Sequence, residues 1–164
     1  MIITPFLVIC FSVVFVLLFL FIKTIDKRKW LTILVSLALT PLVYFYVVYP
    51  LINIFSNYHH QKYFNSEQWT LKPNLRYEMI DYTISSDTLI GLQKNEIKRL
   101  LGQAEWLTWS DSLKAHNPDR WNYAMGIEPG ALNTMKECIE LSFKNDTLIK
   151  ITPYQEEITF DAKN

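Results

Sequence analysis

The sequence predicts an α+β protein: two N-terminal transmembrane helices followed by a small two-layer domain, in which two helices pack on a three- or four-stranded antiparallel sheet. Three observations lead to this prediction. The first third of the chain contains two long runs without a charged residue. Apolar residues then recur at helical spacing, and nearer the C-terminus they alternate with polar residues, as in half-buried strands.

The two charge-free runs predict a transmembrane helical hairpin within residues 1–56, with spans at about 2–22 and 30–55. Each run is longer than the roughly 20 residues that a helix needs to cross a bilayer. We therefore expect the membrane lipid bilayer to be the first partner of this chain.

A removable N-terminal segment is the alternative interpretation of the first run. A signal peptide begins with basic residues and has a shorter apolar stretch, whereas Met1–Pro5 contains no base. A lipid-modified Cys10 is equally disfavoured, because Leu7–Ile9 offers no small residue before the cysteine. We therefore expect the first run to remain as a membrane anchor.

The charge distribution predicts the orientation of the hairpin. The connection Lys23–Lys29 holds four Lys or Arg against one Asp, while the N-terminus holds none. Bases in short connections stay on the cytoplasmic side, so both termini and the C-terminal domain are expected outside the cytoplasm. After Phe55 there are 12 Lys or Arg and 15 Asp or Glu, and this mildly acidic balance excludes nucleic acid as an expected partner.

Residues 57–72 are polar and aromatic, which predicts a tether before a domain at 73–154, and residues 155–164 are expected to form a polar tail. His59 and His60 lie in this tether, where we weighed a metal site or a pH sensor. Adjacent histidines on an exposed tether more often serve neither role. We therefore predict no metal ligands and no cofactor.

Two amphipathic helices are predicted at the start of the domain. Tyr77, Ile80 and Ile84 share one face of the first helix. In the second, Leu89–Leu92 leads into Ile97, Leu100 and Leu101, an apolar stripe at helical spacing. Gly102 follows where a left-handed C-terminal cap is common.

Four segments are predicted as strands, because they combine β-branched or aromatic residues with alternating polarity. They are Glu105–Trp109, Arg120–Gly126, Ile139–Lys144 and Leu148–Thr152.

The last two strands form a predicted hairpin. A loop longer than two residues would place Phe143 opposite Ile149 and Leu141 opposite Ile151, which keeps one face apolar. The sequence favours this register. Because β-branched Thr147 resists the left-handed conformation that a three-residue loop favours at its third position, a wider loop closed by Phe143 and Ile149 is the alternative.

The candidate protein-binding residues are Trp106, Trp109 and Trp121, since exposed aromatic residues dominate many interfaces. The alternative is that these aromatic strand residues belong to the core, which is the commoner case.

The best candidate for catalysis is the polar segment that contains Ser110, Asp111, Ser112, His116 and Asp119. Such a segment is also typical of a connection between strands, and Ser-His-Asp catalysis needs a buried, oriented histidine with an oxyanion site. We therefore predict no catalytic residues and expect the protein not to be an enzyme.

Three segments carry a family resemblance. The run Leu89–Gly102, the aromatic strand Trp121–Tyr123 and the segment Leu141–Asp146 resemble the SmpA/OmlA family, whose BamE-like domains are small envelope lipoproteins. The resemblance covers about residues 75–152, and its motif is a helix cap with a strand pattern. We take Gly91, Gly102, Tyr123 and Phe143 as its structural motif residues. The chain differs from the family in carrying two apolar spans instead of a lipid anchor.

The resemblance implies a periplasmic domain that binds another envelope protein, because these family members serve as accessory subunits of outer-membrane β-barrel assembly. We therefore expect a multi-pass protein of the bacterial inner membrane that acts as a non-catalytic assembly or accessory factor. The alternative is an extracytoplasmic sensor or ligand-binding subunit of a larger membrane complex. A sensor would need a partner for its output, since the connection between the spans has only seven residues.

Overall fold

The structure, a computed structural model, describes residues 1–158. The chain divides into two compact units. The helical unit comprises Ile2–Tyr58 with Gly130–Leu132, and the α+β unit comprises His59–Pro129 with residues 133–158.

The helical unit is a pair of long helices. Helix α1 spans Pro5–Ile25, and the second long helix runs from Lys29 to Phe55 in three parts: α2 (Lys29–Val43), a π-helical segment (Tyr44–Val48) and α3 (Tyr49–Phe55). Both long helices are long and apolar enough to span a membrane, judged by length and composition.

Two prolines flank the π-helical segment of the second helix: Pro41 lies inside α2, and Pro50 lies in the first turn of α3. Each lacks an N–H group for the helical ladder. The polar residues Thr32, Ser36 and Thr40 lie four residues apart and are buried. Ser36 Oγ donates to the carbonyl oxygen of Thr32 at 2.7 Å, and Thr40 Oγ1 donates to that of Ser36 at 2.7 Å. Their hydroxyl groups are therefore satisfied inside the helix.

The α+β unit contains three helices in the described residues. They are α4 (Ser66–Leu71), α5 (Tyr77–Ser85) and α6 (Lys94–Leu101). The last two confirm the predicted helices. Gly102 ends α6 with a φ of +84° and a ψ of −170°. The sign of φ agrees with the predicted left-handed cap, but ψ differs from the left-handed helical value of about +47°, so the cap has another glycine-compatible conformation.

Helix α4 corrects the predicted tether of residues 57–72. Asn65 caps this helix by accepting a hydrogen bond from the N–H of Gln68 at 2.8 Å. Trp69 is fully buried, and its Nε1 donates to the carbonyl oxygen of Leu101 at 3.1 Å. The tether was predicted from polarity along the chain, but one buried tryptophan makes this segment part of the domain.

The described part of the chain forms a four-stranded antiparallel sheet in the order β1-β2-β3-β4. Its strands are β1 (Trp106–Ser110), β2 (Ala115–Gly126), β3 (Met135–Lys144) and β4 (Thr147–Glu157). All four predicted strands are present. Strand β4 extends through residues 155–157 of the predicted polar tail, and residues 159–164 of that tail lie outside the described residues.

The β3–β4 turn differs from the prediction. Asn145 and Asp146 form a two-residue turn with φ of +51° and +60°, the left-handed values that a type I′ turn requires. Phe143 therefore pairs with Leu148 rather than Ile149, while Leu141 pairs with Ile151 as predicted. The register shift between Ser142 and Phe143 restores the apolar face.

The core lies between one face of the sheet and the helices. Arg76 is 7% exposed and anchors this layer: its Nε donates to the carbonyl oxygen of Trp69 at 2.9 Å, and its Nη1 donates to that of Ala124 at 3.0 Å. The buried apolar residues of the core are Trp69, Tyr77, Met79, Ile80, Leu89, Ile97, Leu101, Tyr123, Met125, Ile139, Leu141, Phe143 and Leu148.

Candidate functional site

The candidate site lies on the second face of the sheet, which we call the polar face. Side chains alternate between the two faces of a strand, so Tyr123 and Leu141 enter the core while Asn122 and Glu140 point to the polar face. A cavity of about 530 Å³ lies on this face. It is lined by Trp106, Leu107, Thr108, Trp109, His116, Arg120, Asn122, Glu140, Thr152, Tyr154 and Glu156.

Glu140 is the centre of a hydrogen-bond network in this cavity. Arg120 donates to Glu140 Oε1 from Nη2 at 2.6 Å and from Nε at 3.0 Å. Thr108 Oγ1 donates to Glu140 Oε2 at 2.6 Å. Because Glu140 is only 8% exposed, these bonds compensate the cost of holding a charge away from water.

The network continues from Thr108 to the last strand. Asn122 Nδ2 donates to Thr108 Oγ1 at 2.9 Å, and the Tyr154 hydroxyl donates to Asn122 Oδ1 at 3.0 Å. Burial raises the pKa of Tyr154, with the charge of Glu156 adding to the rise, so its phenol stays protonated and remains a donor. Side chains from all four strands are thereby held in one arrangement.

Aromatic side chains form the rim of the cavity. Trp109 is 54% exposed, and its ring meets the His116 ring edge-on at 5.4 Å. Lys136 Nζ lies 5.3 Å from the centroid of the Trp106 ring, in a cation–π contact. The same Nζ forms an ion pair with Glu156 Oε2 at 3.0 Å. Aromatic surface thus lies directly beside a charged and hydrogen-bonded floor.

The structure separates the three predicted tryptophans. Trp106 and Trp109 line the same cavity, whereas Trp121 packs against the core on the opposite face, with its ring 4.8 Å from that of Phe143. Its Nε1 donates to the carbonyl oxygen of Pro118 at 2.8 Å. Only the first two tryptophans can therefore contribute to one surface.

Of the four motif residues, Gly91 and Gly102 each bond to the sheet, since the Gly91 N–H donates to the carbonyl oxygen of Leu148 at 2.9 Å and Gly102 accepts from Tyr123. Gly91 and Gly102 have φ of +86° and +84°. The Tyr123 hydroxyl donates to the carbonyl oxygen of Gly102 at 3.0 Å, and Tyr123 and Phe143 are buried in the core.

The polar segment weighed for catalysis does not bring its groups together. His116 Nδ1 is 3.0 Å from the carbonyl oxygen of Leu107, Ser110 Oγ is 2.9 Å from Ser112 Oγ, and Asp119 pairs with Lys94. His116 and Asp119 thus bond to partners outside the set, while the two serine hydroxyls bond to each other.

Cys138, the thiol of the α+β unit, is buried between β2 and β4. Burial raises its pKa to about 11. The thiolate is the nucleophilic form, so Cys138 is a poor nucleophile at neutral pH.

The two histidines weighed as metal ligands lie at the start of the α+β unit rather than on an exposed tether. His59 is placed between carboxylates, with Nε2 at 3.6 Å from Asp81 Oδ2 and Nδ1 at 3.7 Å from Glu128 Oε1. Burial lowers the pKa of His60. Within residues 1–158, no group of three or more His, Cys, Asp or Glu side chains is placed to hold a metal ion.

The sequence prediction missed the polar network of Arg120, Asn122 and Glu140. One signal was present, since these residues occupy the outward positions of two predicted strands. Tyr154 gave no such signal, because it follows the predicted end of its strand at Thr152.

No protein family, curated protein or solved structure matches the chain. The resemblance to the SmpA/OmlA family therefore rests on the residues quoted for it.

Proposed function

We propose that this chain is a membrane-anchored, non-catalytic protein-binding domain that serves as an assembly or accessory factor of the bacterial cell envelope. The observation that carries the proposal is the polar face. Trp106 and Trp109 stand beside a floor whose charged and amide groups are already held by hydrogen bonds. Aromatic anchors over a preorganised polar surface are typical of protein interfaces.

The surface of the helical unit supports the proposal that this unit anchors the chain in a membrane. Apolar side chains remain exposed along both long helices, for example Leu17 at 62%, Phe21 at 64% and Leu37 at 66%. Exposed apolar surface of this extent is costly in water and favourable in hydrocarbon.

The edges of the sheet favour contact through the polar face rather than through strand addition. Edge strand β4 contains Pro153, which has no N–H group to donate to an added strand. Edge strand β1 has five residues and an irregular register between Leu107 and Trp109. Short, irregular or proline-containing edges are poor templates for pairing.

The placement in the inner membrane, with both termini and the α+β unit in the periplasm, is part of the proposal. It is supported by the basic residues of the connection and by the family resemblance of residues 75–152.

Crosslinking in intact cells tests the proposal. A photoreactive amino acid in place of Trp109 should capture one envelope protein, and Trp109→Ala should weaken co-purification of that protein about tenfold or more. The matched control is Ile149→Ala, because Ile149 is also 54% exposed but lies outside the cavity lining. Equal loss of the partner with both variants would contradict a role for the polar face.

A ligand-binding subunit is the second candidate, and the cavity itself favours it. A volume of about 530 Å³ lies within the range of roughly 300–1,000 Å³ of small-molecule sites. A small molecule that co-purifies with the full chain and is lost with Glu140→Gln, without a protein partner, would favour this alternative. Hydrolysis of a substrate that is lost with His116→Ala would instead establish an enzyme.

A further inference from the structure

A second cavity lies in the helical unit, where the two long helices are connected. Its volume is about 430 Å³. It is lined by Phe19 and Lys23 of α1, Lys27 of the connection, and Lys29, Thr32 and Ile33 of α2. Three lysines thus surround one cavity that also has an apolar wall.

The charge around this cavity is not neutralised within the described chain. The segment Lys23–Lys29 has four basic residues and one acidic residue, a formal net charge of +3. Among residues 1–158, none of the four bases takes part in an ion pair. The cavity therefore presents uncompensated positive charge.

The start of α2 adds backbone donors to the lysines. Helix α2 begins at Lys29, and its N-cap residue Arg28 makes no side-chain capping bond. The Asp26 carboxylate accepts a hydrogen bond from the N–H of Arg28 at 2.8 Å, and the N–H groups of the first turn follow it. The first N–H groups of a helix lack partners within the helix, and together they favour an anion. Side chains and backbone at this end thus favour the same type of ligand.

The apolar wall of the cavity favours an amphiphilic ligand over a soluble anion. Phe19 precedes Lys23 by four residues, and Ile33 follows Lys29 by four, so each apolar residue lies about one helical turn, or about 6 Å, deeper along its helix. A ligand that fits both parts has an anionic head at the lysines and a hydrocarbon chain along Phe19 and Ile33.

We propose that this cavity binds an anionic phospholipid, with its phosphate among Lys23, Lys27 and Lys29 and an acyl chain along Phe19 and Ile33. The inference rests on the membrane-spanning part of the proposed function. Inorganic phosphate shares the headgroup chemistry but cannot cover the apolar wall. The cavity has the size of a small-molecule site, roughly 300–1,000 Å³.

The test uses the purified full chain in neutral detergent micelles, because removing bases from the connection can also alter orientation in cells. Phosphatidylglycerol, phosphatidylcholine and inorganic phosphate are titrated separately, and bound molecules are counted by native mass spectrometry. The variant K23Q/K27Q/K29Q is compared with K98Q/K144Q/K150Q, which removes the same charge from exposed lysines of the α+β unit.

We expect saturable binding of phosphatidylglycerol, weakened about tenfold or more by K23Q/K27Q/K29Q and unchanged by the control variant. Equal binding of phosphatidylcholine, or equal loss in both variants, would overturn the inference. Inorganic phosphate that binds as tightly as phosphatidylglycerol would show a soluble-anion site and overturn the lipid assignment.

Alkaline carbonate extraction of membranes distinguishes this inference from the proposed function. If carbonate releases the chain from membranes, the membrane anchor fails and this inference fails with it. If the chain stays in the membrane fraction but shows no preference for phosphatidylglycerol, only the lipid site is wrong.

Discussion

Arg120 and Glu140 form a charged pair across β2 and β3, in which the guanidinium donates two hydrogen bonds to a single carboxylate oxygen, at 2.6 Å and 3.0 Å. The Glu140 side chain is 11% exposed and that of Arg120 is 46% exposed. The carboxylate is thus the buried member of the pair. Its partners fix the floor of the cavity before any ligand arrives.

Arg120→Met should destabilise the full chain by about 1–3 kcal/mol, because the carboxylate of Glu140 stays buried after losing its strongest donor. Replacing both residues removes the buried charge, so Arg120→Met with Glu140→Met should cost less than the sum of the two single changes. Urea unfolding in mild detergent, followed by tryptophan fluorescence, measures this coupling. Additive losses would show that the pair contributes nothing as a unit.

Gly126 should be more sensitive to substitution than Gly102. Both have positive φ, at +97° and +84°. A Cβ at Gly126 would lie 2.2 Å from the carbonyl oxygen of Asn74, whereas a Cβ at Gly102 would have no atom of another described residue within 4 Å apart from its chain neighbours. Gly102→Ala should cost about 1–3 kcal/mol from backbone strain alone, because a φ of +84° with a ψ of −170° is a conformation that essentially only glycine adopts. Gly126→Ala should cost about 1–3 kcal/mol more, because the backbone must shift. Equal melting temperatures for the two variants would contradict this steric argument.

The α+β unit should fold without the helical unit if its fragment begins at His59, and should fail to fold if the fragment begins at Pro73. The shorter fragment lacks Trp69, which is fully buried and stacks against the Arg76 guanidinium at 4.8 Å. Loss of a buried tryptophan costs about 3–5 kcal/mol, a large part of the stability of a small domain. Circular dichroism melts of the two fragments compare them directly, and equal melts would assign Trp69 no role in stability.

The elements that the sequence predicted well are those with a local signal. Helices α5 and α6 and the four strands each repeat an apolar pattern over several residues, so one segment contains the information. Helix α4 has six residues and one buried apolar side chain, Trp69. The buried position of Trp69 includes a hydrogen bond to Leu101, 32 residues away. A contact over this sequence distance cannot be predicted from a local pattern.

The candidate site was predicted only in part, for a related reason. Trp106 and Trp109 were identified by residue type, but the face on which each tryptophan lies depends on strand pairing. Register places Trp106 beside Asn122 and Trp121 beside Leu141. The hydrogen bond from Tyr154 to Asn122 requires a strand longer than the alternation predicted, because Pro153 interrupts the pattern.

Glu137→Gln should stabilise the protein at pH 7. Burial raises the pKa of Glu137, and the nearby charges of Glu128 and Asp81 add to the rise. The folded state therefore binds a proton more tightly than the unfolded state. Protonation contributes stability below the ordinary Glu pKa of about 4.3, and this contribution is lost as pH rises through the raised folded value.

The glutamine resembles the protonated carboxyl, so the gain from Glu137→Gln should be largest near neutral pH and should shrink as the pH falls toward 4. Urea unfolding at several pH values measures it. The control is Glu157→Gln, on the exposed end of β4. A gain that does not change with pH would assign the effect to packing rather than to charge.

Orientation in the membrane gives the last prediction. Residue 67 should be accessible from outside the cytoplasm and residue 28 from inside it. The reason is that basic residues in a short connection between two spans remain on the cytoplasmic side. Glu67 is exposed on α4 and Arg28 is exposed in the connection, so a cysteine at either position can react in the folded protein.

The labelling experiment uses a chain in which both native cysteines are replaced, by Cys10→Ser and Cys138→Ala. A membrane-impermeant maleimide should label Glu67→Cys in spheroplasts and label Arg28→Cys only after lysis. The reverse pattern would place the α+β unit in the cytoplasm and remove the periplasmic partner from the proposed function.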